Sequence, residues 1–307
     1  MTYGYILAFG SAVFIGLNTV ANKIILTAGI DAMTAGAWTY LCASCVFVPL
    51  AVRALAGGRR PGATRAPLFV GWLLSGAIGG PVLYFLGLER TTAVHGSILN
   101  NLESAFTAVL AFGVFRERLG RRGMAGSLLI LLGAAWLSWP APAQPATAAG
   151  GVALAGDVLM AGGYFSWALE ANLIRLMDSP VPAVVMMAAK TVTTCLVMSC
   201  LAFLKGSRFA VPFPVVPAIV ASGGVFLVLS VLLFYMATRL IGAGRAGLVL
   251  STSGFFGTLG SVLFLREVFS VSMVAPVLVI SVGIAALMTA SKQTGLTMGG
   301  PPPAGGS

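Results

Sequence analysis

The chain predicts an all-α membrane protein of ten transmembrane helices arranged as two inverted five-helix repeats. Hydrophobic residues fill 58% of its 307 positions and charged residues only 8%, with a mean hydropathy of +0.98. About ten runs are long enough to cross a hydrocarbon core that needs roughly 20 apolar residues per helix. The two halves of the sequence also align on each other at a single spacing, and the basic residues gather in alternate connections.

The spans are expected at 3 to 26, 32 to 54, 67 to 88, 91 to 115, 124 to 139, 153 to 175, 181 to 204, 216 to 241, 243 to 265 and 269 to 290. The first lacks a basic leader and a small-residue cleavage site, so it reads as a retained helix. The second holds Cys42 and Cys45 together with Trp38 and Tyr40. The third carries Gly76, Gly79, Gly80 and Pro81 before Tyr84 and Phe85. The fourth opens near His95 and carries Glu103, and the fifth is short. The sixth holds Tyr164, Phe165, Trp167 and Glu170, and the seventh Lys190, Cys195 and Cys200. Glycines at 223 and 224 mark the eighth and those at 254, 257 and 260 the ninth, while Pro276 falls in the tenth. Such glycines permit close helix contact, and the prolines can open a helix locally. Domain limits follow: a first repeat over 1 to 139, a Pro/Ala/Gly linker over 140 to 152, a second repeat over 153 to 292, and a disordered tail over 293 to 307.

The internal alignment holds at an offset of 150 to 151 residues: Ala21-Asn22 falls on Ala171-Asn172, Tyr84 on Tyr235, Gly96 on Gly247, Leu99 on Leu250 and Thr107 on Thr258. Phe115-Arg116-Glu117-Arg118 falls near Leu265-Arg266-Glu267. Because five is odd, the second half enters the bilayer in the opposite sense. Counting basic residues by side places twelve of eighteen with the N-terminus and five on the other side, with Lys190 inside the membrane. That bias puts both termini in the cytoplasm.

A net charge of +10 does not imply nucleic acid here, since the basic residues lie in connections where orientation explains them. The four cysteines sit in apolar runs without metal spacing and read as small buried hydrophobes. No phosphate-binding loop, zinc-protease or nucleophile-elbow motif occurs, so no enzyme, cofactor or metal site is expected. The chain's span count leaves no room for an extramembrane enzyme domain.

Ten helices in two halves, with Gly96-Ser97-Ile98-Leu99-Asn100-Asn101-Leu102-Glu103 followed by Phe115-Arg116-Glu117-Arg118-Leu119, resemble a drug/metabolite transporter of the EamA type. The resemblance covers about residues 3 to 290. Within that superfamily the chain is similar to bacterial exporters of amino acids, including the YddG group that exports aromatic ones. It departs from the family in placing Ser104, not proline, after Glu103. The resemblance implies a secondary transporter in the bacterial inner membrane, exporting small metabolites such as aromatic or large neutral amino acids by alternating access. Its partners would be the substrate and the lipid bilayer, with a monomer as the plausible unit. Carriers of drugs, sugar derivatives or nucleosides, and a channel or scaffold, are the rival readings.

Charged groups inside a bilayer cost at least about 2.5 to 3.5 kcal/mol each and need a partner or a cavity. Glu103, Glu170 and Lys190 are the residues so placed. Glu103 suits a substrate amino group and Lys190 a carboxylate, while Lys190 can equally pair with Glu103 or Glu170 as structural glue. Asn100 and Thr107 share the Glu103 face; at the repeat offset these become Ser251, Gly254 and Thr258, which a pseudo-two-fold axis would bring close. The expected substrate site therefore comprises Trp38, Tyr84, Asn100, Asn101, Glu103, Trp167, Lys190 and Ser251. His95, Glu103 and Glu170 are the candidates for proton linkage.

Overall fold

The computed structural model describes residues 2–57, 65–115, 120–139, 149–177 and 181–294, and every regular element among them is helical. The ten rods are α1 (Thr2–Thr27), α2 (Ala32–Ala56), α3 (Ala66–Arg90), α4 (Ala93–Leu99, continued by Leu102–Phe115), α5 (Arg121–Leu137), α6 (Ala149–Met177), α7 (Ala183–Leu204), α8 (Phe213–Ile241), α9 (Ala243–Leu250, continued by Ser253–Leu265) and α10 (Val274–Thr294). Seven of these rods are long and apolar enough to cross a membrane by length and composition alone. The expected spans fall on the rods in order. α6 begins at Ala149, inside the expected linker, and α10 runs on to Thr294, past the expected start of the tail. Arg59, Arg60, Arg116, Glu117, Arg118, residues 140–148 and the tail from Gly295 lie outside the described residues.

Local chemistry sets the turns. Asp31 caps α2, its Oδ1 accepting the Met33 and Thr34 N–H groups at 3.1 and 3.3 Å, and Thr92 caps α4 by accepting the His95 N–H at 3.1 Å. Gly242, at φ 83°, turns α8 into α9, a conformation free of strain only without a Cβ. α9 instead ends on Arg266 at φ 54°, the one described non-glycine residue with positive φ.

Packing repeats with the sequence. Helix pairs α2–α7, α5–α10 and α4–α9 join equivalent helices of the two halves. α3 on α6 matches α1 on α8, α4 on α6 matches α1 on α9, and α3 on α7 matches α2 on α8. Exchanging the first five helices for the last five thus reproduces the main contacts of an inverted repeat. Both fourth helices of the repeat are interrupted at matching places, Asn100–Asn101 in α4 and Ser251–Thr252 in α9. Both third helices contain a π-helical segment, Leu73–Gly79 in α3 and Val220–Leu227 in α8. At the latter α8 lies directly on α2: a Cβ built on Gly223 would reach the Thr39 carbonyl oxygen.

One end of the bundle breaks the symmetry. The first segment of α4 packs along the second segment of α9, whereas the related pair, the first segment of α9 and the second of α4, shows no comparable packing among the described residues. Likewise α1 touches the end of α3 and the start of α4, without a matching approach of α6 to α8 and α9 among them. The closed end is the one carrying Lys23, Arg90, His95 and Glu267.

The cysteine expectation fails for Cys45 and Cys200, whereas Cys42 and Cys195 are half-buried against the main apolar core. All four are free and none is buried, and Cys45 and Cys200 are exposed on the bundle exterior, where lipid rather than protein surrounds an apolar side chain.

Candidate functional site

A cavity of about 250 Å³ lies between the two halves, lined from α1, α2, α3, α4, α6, α7 and α8. Its volume is below the roughly 300–1,000 Å³ of drug-sized pockets, so it fits a small solute. Phe47, Met187 and Val231 line it towards the end opposite Lys23, and Asn22, Tyr84 and Phe85 towards the Lys23 end.

Three charged residues meet there. Lys190 Nζ donates to both carboxylate oxygens of Glu170, at 2.9 and 2.6 Å. Glu170 is buried against the π-helical segment of α3, where a Cβ on Gly76 would overlap its carboxylate. The third group, Glu103, reaches the same cavity from α4 just past the helix interruption. Its carboxylate makes no hydrogen bond or ion pair among the described residues; only its backbone carbonyl is engaged, accepting from Thr107 Oγ1 at 2.7 Å. Of the two partners the sequence leaves open for Lys190, the structure selects Glu170.

Tyr84 and Trp167 form an aromatic wall of the cavity, and the buried Tyr164 packs against both, the three ring centroids standing 5.4 to 6.3 Å apart in tilted and edge-on arrangements. Such spacing is in the favourable range for aromatic pairs. Tyr84 donates to Thr19 Oγ1 at 3.3 Å and Tyr164 to the Gly96 carbonyl at 2.9 Å. The Trp167 indole N–H is buried against Gly80 and finds no acceptor among the described residues.

Tyr84, Asn100, Glu103, Trp167, Glu170 and Lys190 line the cavity, as the sequence leads one to expect, and the other candidates lie elsewhere. Trp38 is close to the start of α2, and its Nε1 donates to the Phe209 carbonyl in the α7–α8 connection at 3.1 Å. Its neighbours Thr39 and Tyr40 take the lining positions instead. Asn101 is buried and turns back on its own helix, donating to the Ile98 carbonyl at 3.0 Å. Ser251 faces Met288 Sδ at 4.0 Å. α4 and α9 meet through Asn100 Nδ2, which donates to Ser253 Oγ at 3.0 Å; Ser253 is not one of the α9 positions that the repeat offset pairs with the Glu103 face. His95 sits at the closed end, its Nδ1 2.8 Å from Asp157 Oδ2, while Thr91 donates to the other Asp157 oxygen.

Sequence reading passed over one polar cluster. Asn22 Nδ2 donates to Asn18 Oδ1 at 3.0 Å, and Asn18 Nδ2 donates to the Ser222 carbonyl and Oγ at 2.9 and 3.1 Å. Ser222 and Thr39 hydroxyls both donate to Asn22 Oδ1. The signal was two asparagines four residues apart in a mostly apolar first span, a spacing that puts both on one face.

Comparison with known proteins agrees with this architecture. The profile of the EamA-like transporter family matches twice, over residues 2–139 and again over 154–289, once for each half. An uncharacterized transporter of Methanothermobacter thermautotrophicus is 28% identical over 282 residues, covering 88% of this chain and 81% of its own length. A protein of known crystal structure superposes with a TM-score of 0.64 at 17% identity, over 95% of this chain and 99% of that one, which speaks for the fold alone. With the profile accounting for both halves, the chain belongs to the EamA-like transporter family and is a multi-pass membrane transporter of small molecules.

Proposed function

We propose that this transporter carries amino acids with a sizeable apolar side chain out of the cell, by alternating access, across a bacterial inner membrane with both termini in the cytoplasm. The observation behind the reading is the pairing, in one small cavity, of an aromatic wall with a carboxylate that has no hydrogen bond or ion pair among the described residues. Glu103 is the acceptor for a substrate ammonium. An ammonium such as Lys190 Nζ has three donors, of which Glu170 takes two, so one remains for a substrate carboxylate. Tyr84 and Trp167 offer apolar area and ring edges to the side chain, where each buried methylene is worth about 0.8 kcal/mol and ring contact roughly 0.5–1.5 kcal/mol more. The looser packing of the described residues on the side away from Lys23 and the closed end beside it suit a carrier that exposes its site to one side at a time.

A second reading has its own support. If the three cavity charges are ionised, the Lys190–Glu170 pair is neutral as a unit and Glu103 leaves one negative charge in excess, which favours an organic cation. Competition in proteoliposomes separates the two. Phenylalanine, leucine and methionine should inhibit uptake of a labelled large neutral amino acid, with glycine, aspartate and sugars weaker. Strong inhibition by an organic cation with none by those three amino acids rejects the first reading in favour of the second. Saturation and counterflow from trans substrate would distinguish a carrier from a channel.

A further inference from the structure

We propose that Glu267, together with Lys23, is the latch that holds the outer end of the transport path shut. The inference rests on the alternating-access reading above and on its orientation, which puts the Lys23 end outside.

Glu267 belongs to the turn between α9 and α10, in the second half, yet its carboxylate is spent on the first half. Oε1 accepts the Ala93 N–H at 2.9 Å and Oε2 the Val94 N–H at 2.8 Å. These two amides open α4, where backbone N–H groups lack helical partners and the helix dipole favours an anion. Lys23 does the complementary work at the end of α3. Its Nζ donates to the Leu88 and Thr91 carbonyls, the place where orphan C=O groups and the dipole favour a cation. One carboxylate and one ammonium thus cap the two helix ends on either side of the α3–α4 turn; the carboxylate comes from the α9–α10 turn and the ammonium from α1, which packs on α8 and α9, so both leave the turn if the outer end opens. No residue of the cavity is involved.

Two independent features agree. Arg266, just before Glu267, is held at φ 54°, a left-handed conformation that is unfavourable for a non-glycine residue and persists where surrounding contacts fix it. The break in pseudo-symmetry lies at the same end: α4 and α9 pack where Glu267 ties them, and the related pair at the other end does not pack comparably among the described residues. Further ties at this end, from Glu89 Oε1 to the Ala32 N–H and from Asp157 to Thr91 and His95, join α3 to α2 and α6 to the α3–α4 turn. The Asp157 ties also cross between the halves, but they reach the α3–α4 turn from α6; Glu267 is the positioning residue that ties the start of α4 to the α9–α10 turn.

A cysteine placed at Ile15, which lines the cavity, reports on closure. An impermeant thiol reagent is applied to intact cells and to inside-out vesicles, with each protein lacking the Ile15→Cys reporter used to subtract the four native cysteines. The reporter alone should label faster in inside-out vesicles than in cells; equal rates overturn the proposal without any latch variant. Glu267→Gln and Lys23→Met should each raise labelling in intact cells by about tenfold, the change expected when a ligand worth ~1.4 kcal/mol to one state is lost. If Glu267→Gln reduces folded yield, Lys23→Met carries the test. Rates unchanged within about twofold in the folded variants refute the latch. The cargo reading stands or falls separately: labelling sped by the variants but untouched by phenylalanine keeps the latch and removes the amino acid. Slowing by phenylalanine without any effect of the variants does the reverse.

Discussion

Removing Lys190 tests what its pairing with Glu170 does for the folded state. At separations of 2.6 and 2.9 Å and an effective dielectric of about 20, two unit charges attract by roughly 6 kcal/mol. Desolvation of both ions takes back several kcal/mol, since the Lys190 and Glu170 side chains are only 16% and 8% exposed, so the intact pair contributes little net stability. Breaking it is different: Lys190→Met leaves a buried carboxylate uncompensated at a cost of about 3–5 kcal/mol. With about 2–4 °C of melting temperature per kcal/mol, the thermal midpoint in detergent should fall by roughly 6–20 °C. The double variant Glu170→Gln/Lys190→Met removes both charges and should recover most of the loss. Midpoints for both single variants within about 2 °C of the parent, with an additive double, would show that the pair is not coupled and sink the argument.

Glu103→Gln breaks no side-chain hydrogen bond or ion pair among the described residues and should keep the thermal midpoint within about 2 °C while weakening substrate binding at least about tenfold; a large drop in midpoint with normal transport contradicts its assignment. Trp167→Ala should reduce the preference for phenylalanine over alanine in competition by about 3- to 10-fold, as removal of one ring contact predicts, and an unchanged ratio excludes Trp167 from side-chain recognition. Gly126→Val should lower folded yield sharply without changing the apparent KM of whatever folds, because a Cβ there would fall 2.5 Å from the Leu287 nitrogen and 2.6 Å from the Gly283 carbonyl on α10. Cysteines introduced near Arg59 or Arg121 should resist an impermeant thiol reagent in intact cells, while ones in residues 140–151 should label; the opposite pattern inverts the topology.

Most of the fold was legible because a bilayer imposes a crude and strong code. Every backbone polar group must be satisfied within its own span, so span length and charge depletion alone set ten helices nearly to their observed limits. The repeat offset also pairs α4 with α9, though the hydrogen bond between them runs from Asn100 to Ser253, outside the positions that the offset matches. The cavity was legible only where a costly group marks it, as with Glu103, Glu170 and Lys190. Neutral lining such as Asn18, Thr39 and Tyr40 pays too little for burial to stand out, and depth along a helix decides whether an aromatic residue lines the cavity. Trp38 failed on that count, lying near a helix end where its indole N–H meets a loop carbonyl. The Glu267 contact was invisible for another reason: it spans 174 positions in sequence to reach Ala93 and depends on a backbone conformation at Arg266 that no local pattern announces.

The π-helical segments of α3 and α8 give the bundle a way to exchange what its helices display. A π turn holds one residue more than the α-helix around it. Shifting that excess along the helix by one position swings the intervening side chain by about 100°, the angular step of a single residue, while the rod's two ends stay where they are. In α3 the segment holds Gly76, against which the Glu170 carboxylate rests; in α8 it holds Ser222, which anchors the Asn18–Asn22 cluster. Each half of the chain therefore carries, beside the cavity, a point where the chemistry facing the interior can be changed by rotation alone, with no helix sliding against lipid.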